Sequence, residues 1–238
     1  FDKDYARRLL FVITVSLGIN GLIKNLVMLP RPFSTGEIKC VRPETASGFS
    51  FPSGHTQNVS TWSTVFIKYS DRIILKMILA LLVFLVGFSR IYLGAHYPSD
   101  VVCGILFGIV IALICDRIYD RVGNKLMLFL ISTLAFAPFA VMFFIKGNPM
   151  FADFFKIFGM QIGLLCATAF EEKYISLSCD GTIGKRILRV SLAILAAYIT
   201  KKGIPFLLDV ADTWNPLFDV FEYFCVVFIA LGFCPLIF

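Results

Sequence analysis

The chain has 238 residues, of which 58% are hydrophobic and only 16% charged, with a mean hydropathy of +0.83 and a formal net charge of +6. Soluble domains sit near about 45–50% apolar, so this chain holds too much apolar surface for one water-soluble core, and a bilayer is its natural solvent. The basic balance predicts no nucleic-acid partner, because Lys and Arg gather in the cytoplasmic loops of membrane proteins anyway.

Runs long enough to cross a bilayer predict eight spans: 9–29, 53–69, 73–91, 98–117, 126–145, 151–170, 187–208 and 217–238. The run 126–145 is free of charge, whereas 53–69 is the shortest and most polar. Gly147, Asn148 and Pro149 turn the chain before the sixth span, and Asp180, Gly181 and Gly184 before the seventh. Continuous apolar runs, without strand-like alternation, exclude a membrane barrel. The expected fold is all-α, a polytopic transmembrane helical bundle of about eight spans.

The seven cysteines, Cys40, Cys103, Cys115, Cys166, Cys179, Cys225 and Cys234, are odd in number and scattered. They predict neither a disulfide framework nor a zinc site, only small apolar packing residues. The first residue is Phe1 and not Met, which predicts that the natural start is missing; no signal peptide with a small-residue cleavage site is seen.

Lys and Arg set the orientation. One side collects thirteen of the 22, among them Arg7, Arg8, Lys68, Arg72, Arg117 and Arg121; the other nine include Lys24, Arg31 and Arg90. If those three serve function and not topology, the bias is thirteen to six, and the first side is predicted to be cytoplasmic.

Three motifs fall on the opposite, outward side. Lys24-x6-Arg31-Pro32 ends the first span, Pro52-Ser53-Gly54-His55 opens the second, and Ser89-Arg90-x5-His96-x3-Asp100 joins the third to the fourth. In this order they resemble the type 2 phosphatidic acid phosphatases, with every motif position matched. The resemblance covers roughly residues 9–118. It implies a catalytic core over 1–118 that lacks two spans usually found before the first motif. Residues 119–238 are then a transmembrane extension of the same membrane domain, of a kind seen in many bacterial members.

The residues support the same chemistry without the family. A phosphate monoester carries about two negative charges at neutral pH. Lys24, Arg31 and Arg90 supply three cations, and an Arg fork donates two parallel hydrogen bonds to an oxyanion. Ser53 and Gly54 add a helix start, whose free N–H groups face an anion, with Pro52 fitting a position that needs no donor. His55 and His96 are the chain's two histidines. His96 and Asp100, four apart, share a face if both lie on one helical turn. An Asp accepting from one ring nitrogen leaves the other free to attack, which makes His96 the nucleophile and Asp100 its orienter. His55 is then the general acid for the leaving alkoxide and later the base for water. The resemblance implies the same roles.

Each of these residues alone has a duller reading, as a satisfied histidine, a snorkelling cation or a helix cap. Only the three motifs together, in order and on one side, favour the active site. Elsewhere the duller reading stands: Asp219 and Glu222 are expected at a solvated span end. Ser50, Thr56, Gln57 and Asn58 flank the second motif, and any of them could touch phosphate or water, with nothing in the sequence to single one out.

The expected function is a membrane-embedded lipid phosphatase acting through a phosphohistidine, with no cofactor and no metal. A lipid phosphotransferase of the same family, a vanadium haloperoxidase and a transporter are the alternatives. The motifs do not separate transfer from hydrolysis. The haloperoxidases are soluble, and a transporter more often shows polar breaks at mid-span. Phosphatidic acid, phosphatidylglycerol phosphate and an isoprenyl diphosphate all fit as the substrate. The overall look predicts a bacterial cytoplasmic membrane with the site facing outward; oligomeric state is left open.

Overall fold

The computed structural model describes residues 3–36, 38–175, 182–208 and 214–233, and every regular element among them is helical. Cys179, Asp180, Gly181, Cys234 and the end of the last predicted span lie outside the described residues. The chain divides into two compact units, one of Tyr5–Gly123 and one of Asn124–Phe238 together with Phe1–Asp4.

The first unit carries the motifs. Its helices are α1 (Lys3–Val27), α2 (Gly54–Lys68), α3 (Ile73–Tyr92) and α4 (Pro98–Arg121). The second holds α5 (Lys125–Lys146), α6 (Ala152–Tyr174), α7 (Ile183–Leu208) and α8 (Pro216–Phe228), the last continuing as a wider π turn over Ile229–Phe233.

Eight helices answer to the eight predicted spans, but among the described residues only six are long and apolar enough to cross a membrane. The two exceptions have physical reasons. α2 has 15 residues and a polar sequence, about 22 Å of helix against a hydrocarbon core of about 30 Å. α7 is long but carries Lys185, Arg186 and Arg189 in its first third and Lys201 and Lys202 in its last.

The polarity of α2 is spent inside the protein. Asn20 Nδ2 on α1 donates to Gln57 Oε1 at 2.8 Å, and Gln57 Nε2 donates back to the Ser16 carbonyl at 2.9 Å. The hydroxyls of Ser16 and Thr61 pair at 2.8 Å. All four residues are buried. A polar helix is tolerable away from water when its groups find partners, and α1 supplies them for Gln57 and Thr61, whereas the buried Asn58 Oδ1, Ser60 Oγ and Ser63 Oγ have no hydrogen-bond partner among the described residues.

On its other side α2 meets α4 with almost nothing between the backbones. A methyl group placed on Gly108 would lie 2.6 Å from the Gln57 carbonyl and 2.7 Å from Ser60 Cβ, and one on Gly104 would lie 2.9 Å from the Ser53 carbonyl. Glycines four apart give α4 a flat stripe, the small-residue packing that membrane helices use where no hydrophobic force draws them together. The second unit repeats the device: on α6, a methyl group on Gly159 would clash with the Val220 carbonyl of α8, and one on Gly163 would lie 2.7 Å from the Phe224 carbonyl.

Two expectations for the second unit need comment. The turn at Gly147 is as predicted, with φ +60° at the glycine and Asn148 capping Met150 N at 2.9 Å. Asp219 and Glu222, expected at a solvated end, are instead buried, and Asp219 accepts from Trp214 Nε1 at 3.0 Å. Packing of α8 on α6 removes them from water.

The α2–α4 seam yields a direct test. Gly→Ala inside a helix gains about 1 kcal/mol of propensity, but overpacking against a fixed carbonyl costs about 1–3 kcal/mol. Gly108→Ala should therefore lower the thermal unfolding midpoint in detergent. Gly203→Ala on α7, where nothing lies within 4 Å of the added methyl, should leave it unchanged or raise it slightly. Equal behaviour of the two variants would contradict the close seam.

Candidate active site

The site is built where the C-terminal ends of α1 and α3 and the N-terminal ends of α2 and α4 meet an irregular segment. After α1 stops at Val27, Arg31 precedes a short 3-10 turn over Pro32–Thr35. The chain then returns, and Ser50 N donates to the Leu29 carbonyl at 2.8 Å. The two cations of the first motif grip this returning strand of backbone. Lys24 Nζ donates to the Phe49 carbonyl at 2.6 Å, Arg31 Nε to the Gly48 carbonyl at 2.9 Å and Arg31 Nη2 to the Ser47 carbonyl at 2.5 Å. Both side chains are buried.

The α3–α4 connection supplies the imidazole. Gly94 has φ +69°, and a Cβ there would sit 3.1 Å from both Ile38 Cγ2 and the Lys39 carbonyl. Conformation and space both require glycine at this turn. His96 therefore lies in the turn, and α4 begins at Pro98. The two residues do not share a helix face as their spacing suggested. They meet because Asp100, at the third helical position, reaches back over the helix start, where its Oδ2 accepts from Tyr97 N at 2.9 Å.

The hydrogen bonds fix the imidazole tautomer. A guanidinium can only donate, and Arg31 Nη1 stands 3.1 Å from His96 Nε2. Nε2 must therefore offer a lone pair, and the ring proton must sit on Nδ1. That nitrogen faces Asp100 Oδ2 at 3.4 Å and Ser50 Oγ at 3.5 Å. Ser50 in turn donates its own hydroxyl to Asp100 Oδ2 at 2.5 Å. Oδ2 thus gathers three donors, whereas the buried Oδ1 has no hydrogen-bond partner among the described residues.

Burial of His96 pushes its basicity down, from the ordinary 6.5 to about 4, with Asp100 opposing and the Arg31 and Lys24 charges assisting. The ring is neutral at physiological pH, the state in which Nε2 is nucleophilic.

The remaining predicted residues are placed as follows. Ser53 is the N-cap of α2, but its hydroxyl pairs with Thr56 Oγ1 at 3.0 Å and does not cap the helix, while its backbone N–H donates to the Asp100 carbonyl at 3.0 Å. Gly54 is the first residue of α2; a methyl there would approach Asn20 Oδ1 to 3.1 Å and Lys24 Cε to 3.8 Å. Pro52 lies one residue before the N-cap, outside the first helical turn where it was expected. His55 occupies the exposed side of that turn. Arg90 is half-buried; its Nη1 reaches Thr45 Oγ1 only at 3.4 Å, and its buried Nε has no hydrogen-bond partner among the described residues. Arg31, His96, Asp100 and Ser53 are thus linked by direct contacts; Lys24 joins through the Phe49 carbonyl, Gly54 as the neighbour of Ser53, and Arg90 through its own carbonyl, which accepts from Ala95 N at 3.1 Å.

Sequence reasoning missed Ser50, which stands 46 residues from His96 and 50 from Asp100. It also missed Asn20, which lies four residues before Lys24 on α1 and so points from the same face toward Gln57.

A family model described as PAP2 superfamily matches residues 5–123, and a second, PAP2 superfamily phosphatase, transmembrane extension, matches residues 155–238. The chain is 35% identical over 104 residues to undecaprenyl-diphosphatase BcrC of Bacillus subtilis (strain 168), covering 44% of this chain and 52% of the relative. It is 29% identical over 125 residues to putative undecaprenyl-diphosphatase YbjG of Escherichia coli (strain K12), covering 52% and 62%. It is 26% identical over 222 residues to dihydrosphingosine 1-phosphate phosphatase YSR3 of Saccharomyces cerevisiae, covering 85% and 55%. The chain thus spans between half and two thirds of the length of these relatives. No solved structure matches it.

The environment of His96 can be read directly. In a His55→Ala variant a single imidazole remains, and its NMR titration in detergent should show a midpoint near 4 and not 6.5. Because the folded value lies below the unfolded one, the unfolded chain takes up its proton first as pH falls. The stability that the neutral ring contributes is complete above about 6.5 and is lost toward about 4. A midpoint at or above 6.5 would contradict the buried, guanidinium-facing ring.

Proposed function

The chain belongs to the PAP2 superfamily, and from that premise we propose that it is a lipid phosphatase that hydrolyses a phosphomonoester or diphosphate of a membrane lipid through a phosphohistidine. It is an integral membrane protein, with six helices among the described residues long and apolar enough to span. The observation that carries the reading is the His96 tautomer: Nδ1–H turned to Asp100 and Ser50, and the Nε2 lone pair turned to a guanidinium.

In the first step Nε2 of His96 attacks phosphorus, the P–O bond to the lipid breaks, and His55 gives its proton to the leaving oxygen. The phosphorylated ring keeps its Nδ1 proton and becomes cationic, a charge that the Asp100 carboxylate stabilises. In the second step water attacks phosphorus, His55 takes its proton, and the P–N bond breaks to release phosphate and neutral His96. Lys24, Arg31, Arg90 and the Ser53–Gly54 helix start hold the phosphoryl oxygens, a set of charges that supplies without a metal what a divalent ion otherwise would. Arg90, with an unengaged Nε, is ready to receive an anion. Arg31 has first to exchange some of its carbonyl partners for phosphoryl oxygens.

We assign this chemistry to residues 1–118 and treat residues 119–238 as a transmembrane extension of the same membrane domain. The names of two relatives support an isoprenyl diphosphate as the first substrate to test, and that of the yeast relative a sphingoid phosphate. The membrane we propose is a bacterial cytoplasmic membrane with the site facing outward, supported by the thirteen-to-six distribution of Lys and Arg. Single cysteines placed in the loop 33–50, in a background cleared of native cysteines, should then react with an impermeant thiol reagent in intact cells. Labelling only after lysis would reverse the orientation.

The two histidines separate in the first step. His96→Ala should form no phosphoenzyme with any substrate. His55→Ala should slow phosphoenzyme formation far more from the lipid, whose alkoxide needs a proton, than from p-nitrophenyl phosphate, whose phenolate leaves almost unaided. Rapid quench isolates this step from the later attack of water. Equal slowing with both substrates would make His55 a binding residue, and a phosphorylated His96→Ala protein would remove the nucleophile.

A further inference from the structure

At the other end of α4, about 25 Å along the helix from Asp100, the first unit has a second concavity of about 380 Å³. It is lined by Lys68, Leu113, Ile114, Arg117, Ile118 and Arg121. Its volume is at the small end of the range for ligand sites. The α4 residues recur at intervals of three and four and so form one stripe. Leu113, Ile114 and Ile118 are exposed and make an apolar wall, and Lys68, Arg117 and Arg121 add three cations to the lining, which form its charged rim.

Of the charges here, Lys68 is paired with Asp116, whereas those of Arg117 and Arg121 are not balanced by the protein. Asp116 and Asp120, the acids on this stretch of α4, are turned the other way. Asp116 takes Arg8 Nη1 at 2.8 Å, Tyr69 OH at 3.0 Å and the Lys68 ammonium, and Asp120 takes Arg8 Nη2 at 2.6 Å. Arg117 and Arg121 are exposed and make no side-chain hydrogen bond or ion pair among the described residues. A lone arginine at a span end needs only water or headgroups around it. Two unpaired guanidinium groups and an ammonium around a concave, hydrocarbon-facing wall describe a ligand with a negative head and an apolar tail.

We propose that this groove binds the phosphate headgroup of an anionic phospholipid, with Arg117 and Arg121 on the phosphate and an acyl chain against Leu113, Ile114 and Ile118. Basic pockets on the cytoplasmic side of membrane helices hold anionic lipid heads in this way. The site is separate from the candidate active site and consumes nothing. Because Lys68 is shared with the Asp116 cluster, an occupied groove also steadies the junction of α1, α2 and α4.

The test uses the purified full chain in neutral detergent, with native mass spectrometry to read bound lipid and thermal unfolding to read its effect. Phosphatidylglycerol, a phosphodiester and so no substrate for the proposed reaction, should bind at least about tenfold more tightly than phosphatidylcholine and raise the unfolding midpoint. The double variant Arg117→Gln, Arg121→Gln should bind it roughly thirtyfold less tightly, about fivefold for each cation near an anionic head. Arg117→Lys, Arg121→Lys should stay within a few fold of the parent, and both variants should cleave p-nitrophenyl phosphate as the parent does. His96→Ala should bind phosphatidylglycerol unchanged. Equal binding of the two lipids, unaltered binding in the glutamine variant, or equal protection by inorganic phosphate alone would overturn the proposal. Displacement of the lipid by vanadate would move it to the candidate active site and overturn it as well.

Discussion

The near contact of two backbones, those of α2 and α4, governs the motif-bearing unit. Gly104 and Gly108 remove the side chains that would hold the helices apart, and the Ser53 and Gln57 carbonyls occupy the space. In lipid, van der Waals packing of this kind is a main source of helix adhesion, because hydrocarbon gains nothing by being excluded. The seam also fixes register. Ser53 N finds the Asp100 carbonyl at one end, so the start of α2 is placed against the turn that carries His96. A slip of one helical turn along α4 would bring Gly104 under residues meant for Gly108 and carry Asp100 some 6 Å from Ser53.

With α4 pressed on one side, α2 turns Gln57 and Thr61 to the other, and the Ser16, Asn20, Gln57 and Thr61 bonds satisfy these two residues. The two sides depend on each other. A polar α2 facing lipid would leave several donors unpaired, at about 1–3 kcal/mol each, whereas enclosed by α1 and α4 it is a rigid post. The same enclosure lets Lys24 and Arg31 bend over the Ser47–Ser50 backbone and lets Ser50 reach Asp100. At the opposite end Asp116 collects Arg8, Lys68 and Tyr69, so the three helices are tied at both ends by charge-assisted bonds, which are roughly twice as strong as neutral ones.

The helices and the motif residues were legible in the sequence because both signals are local. An apolar run announces α5 without reference to any other element, and Lys24 and Arg31, or His96 and Asp100, are separated by distances the chain itself enforces. What was not legible is what depends on distant partners. Hydropathy made α2 doubtful, since nothing in residues 54–68 says that α1 will meet its polar groups. Asp219 and Glu222 read as solvated because burial by α6 depends on Gly159 and Gly163, some sixty residues earlier. Ser50 stood among several hydroxyls near a motif, and only the fold selects it. The spacing of His96 and Asp100 was read correctly as a pair but for the wrong local reason, a shared helix face in place of a side chain reaching back over a helix start.

The tightness of the α2–α4 seam has a further consequence for traffic within the bilayer. With carbonyls less than 3 Å from where a methyl group would stand at Gly104 and Gly108, no hydrocarbon chain fits between these two helices. A lipid whose head reached His96 could not thread its tail through that side of the bundle. The tail would have to leave by another side of the bundle or stay in the surrounding membrane, so the seam sets the direction from which a lipid approaches.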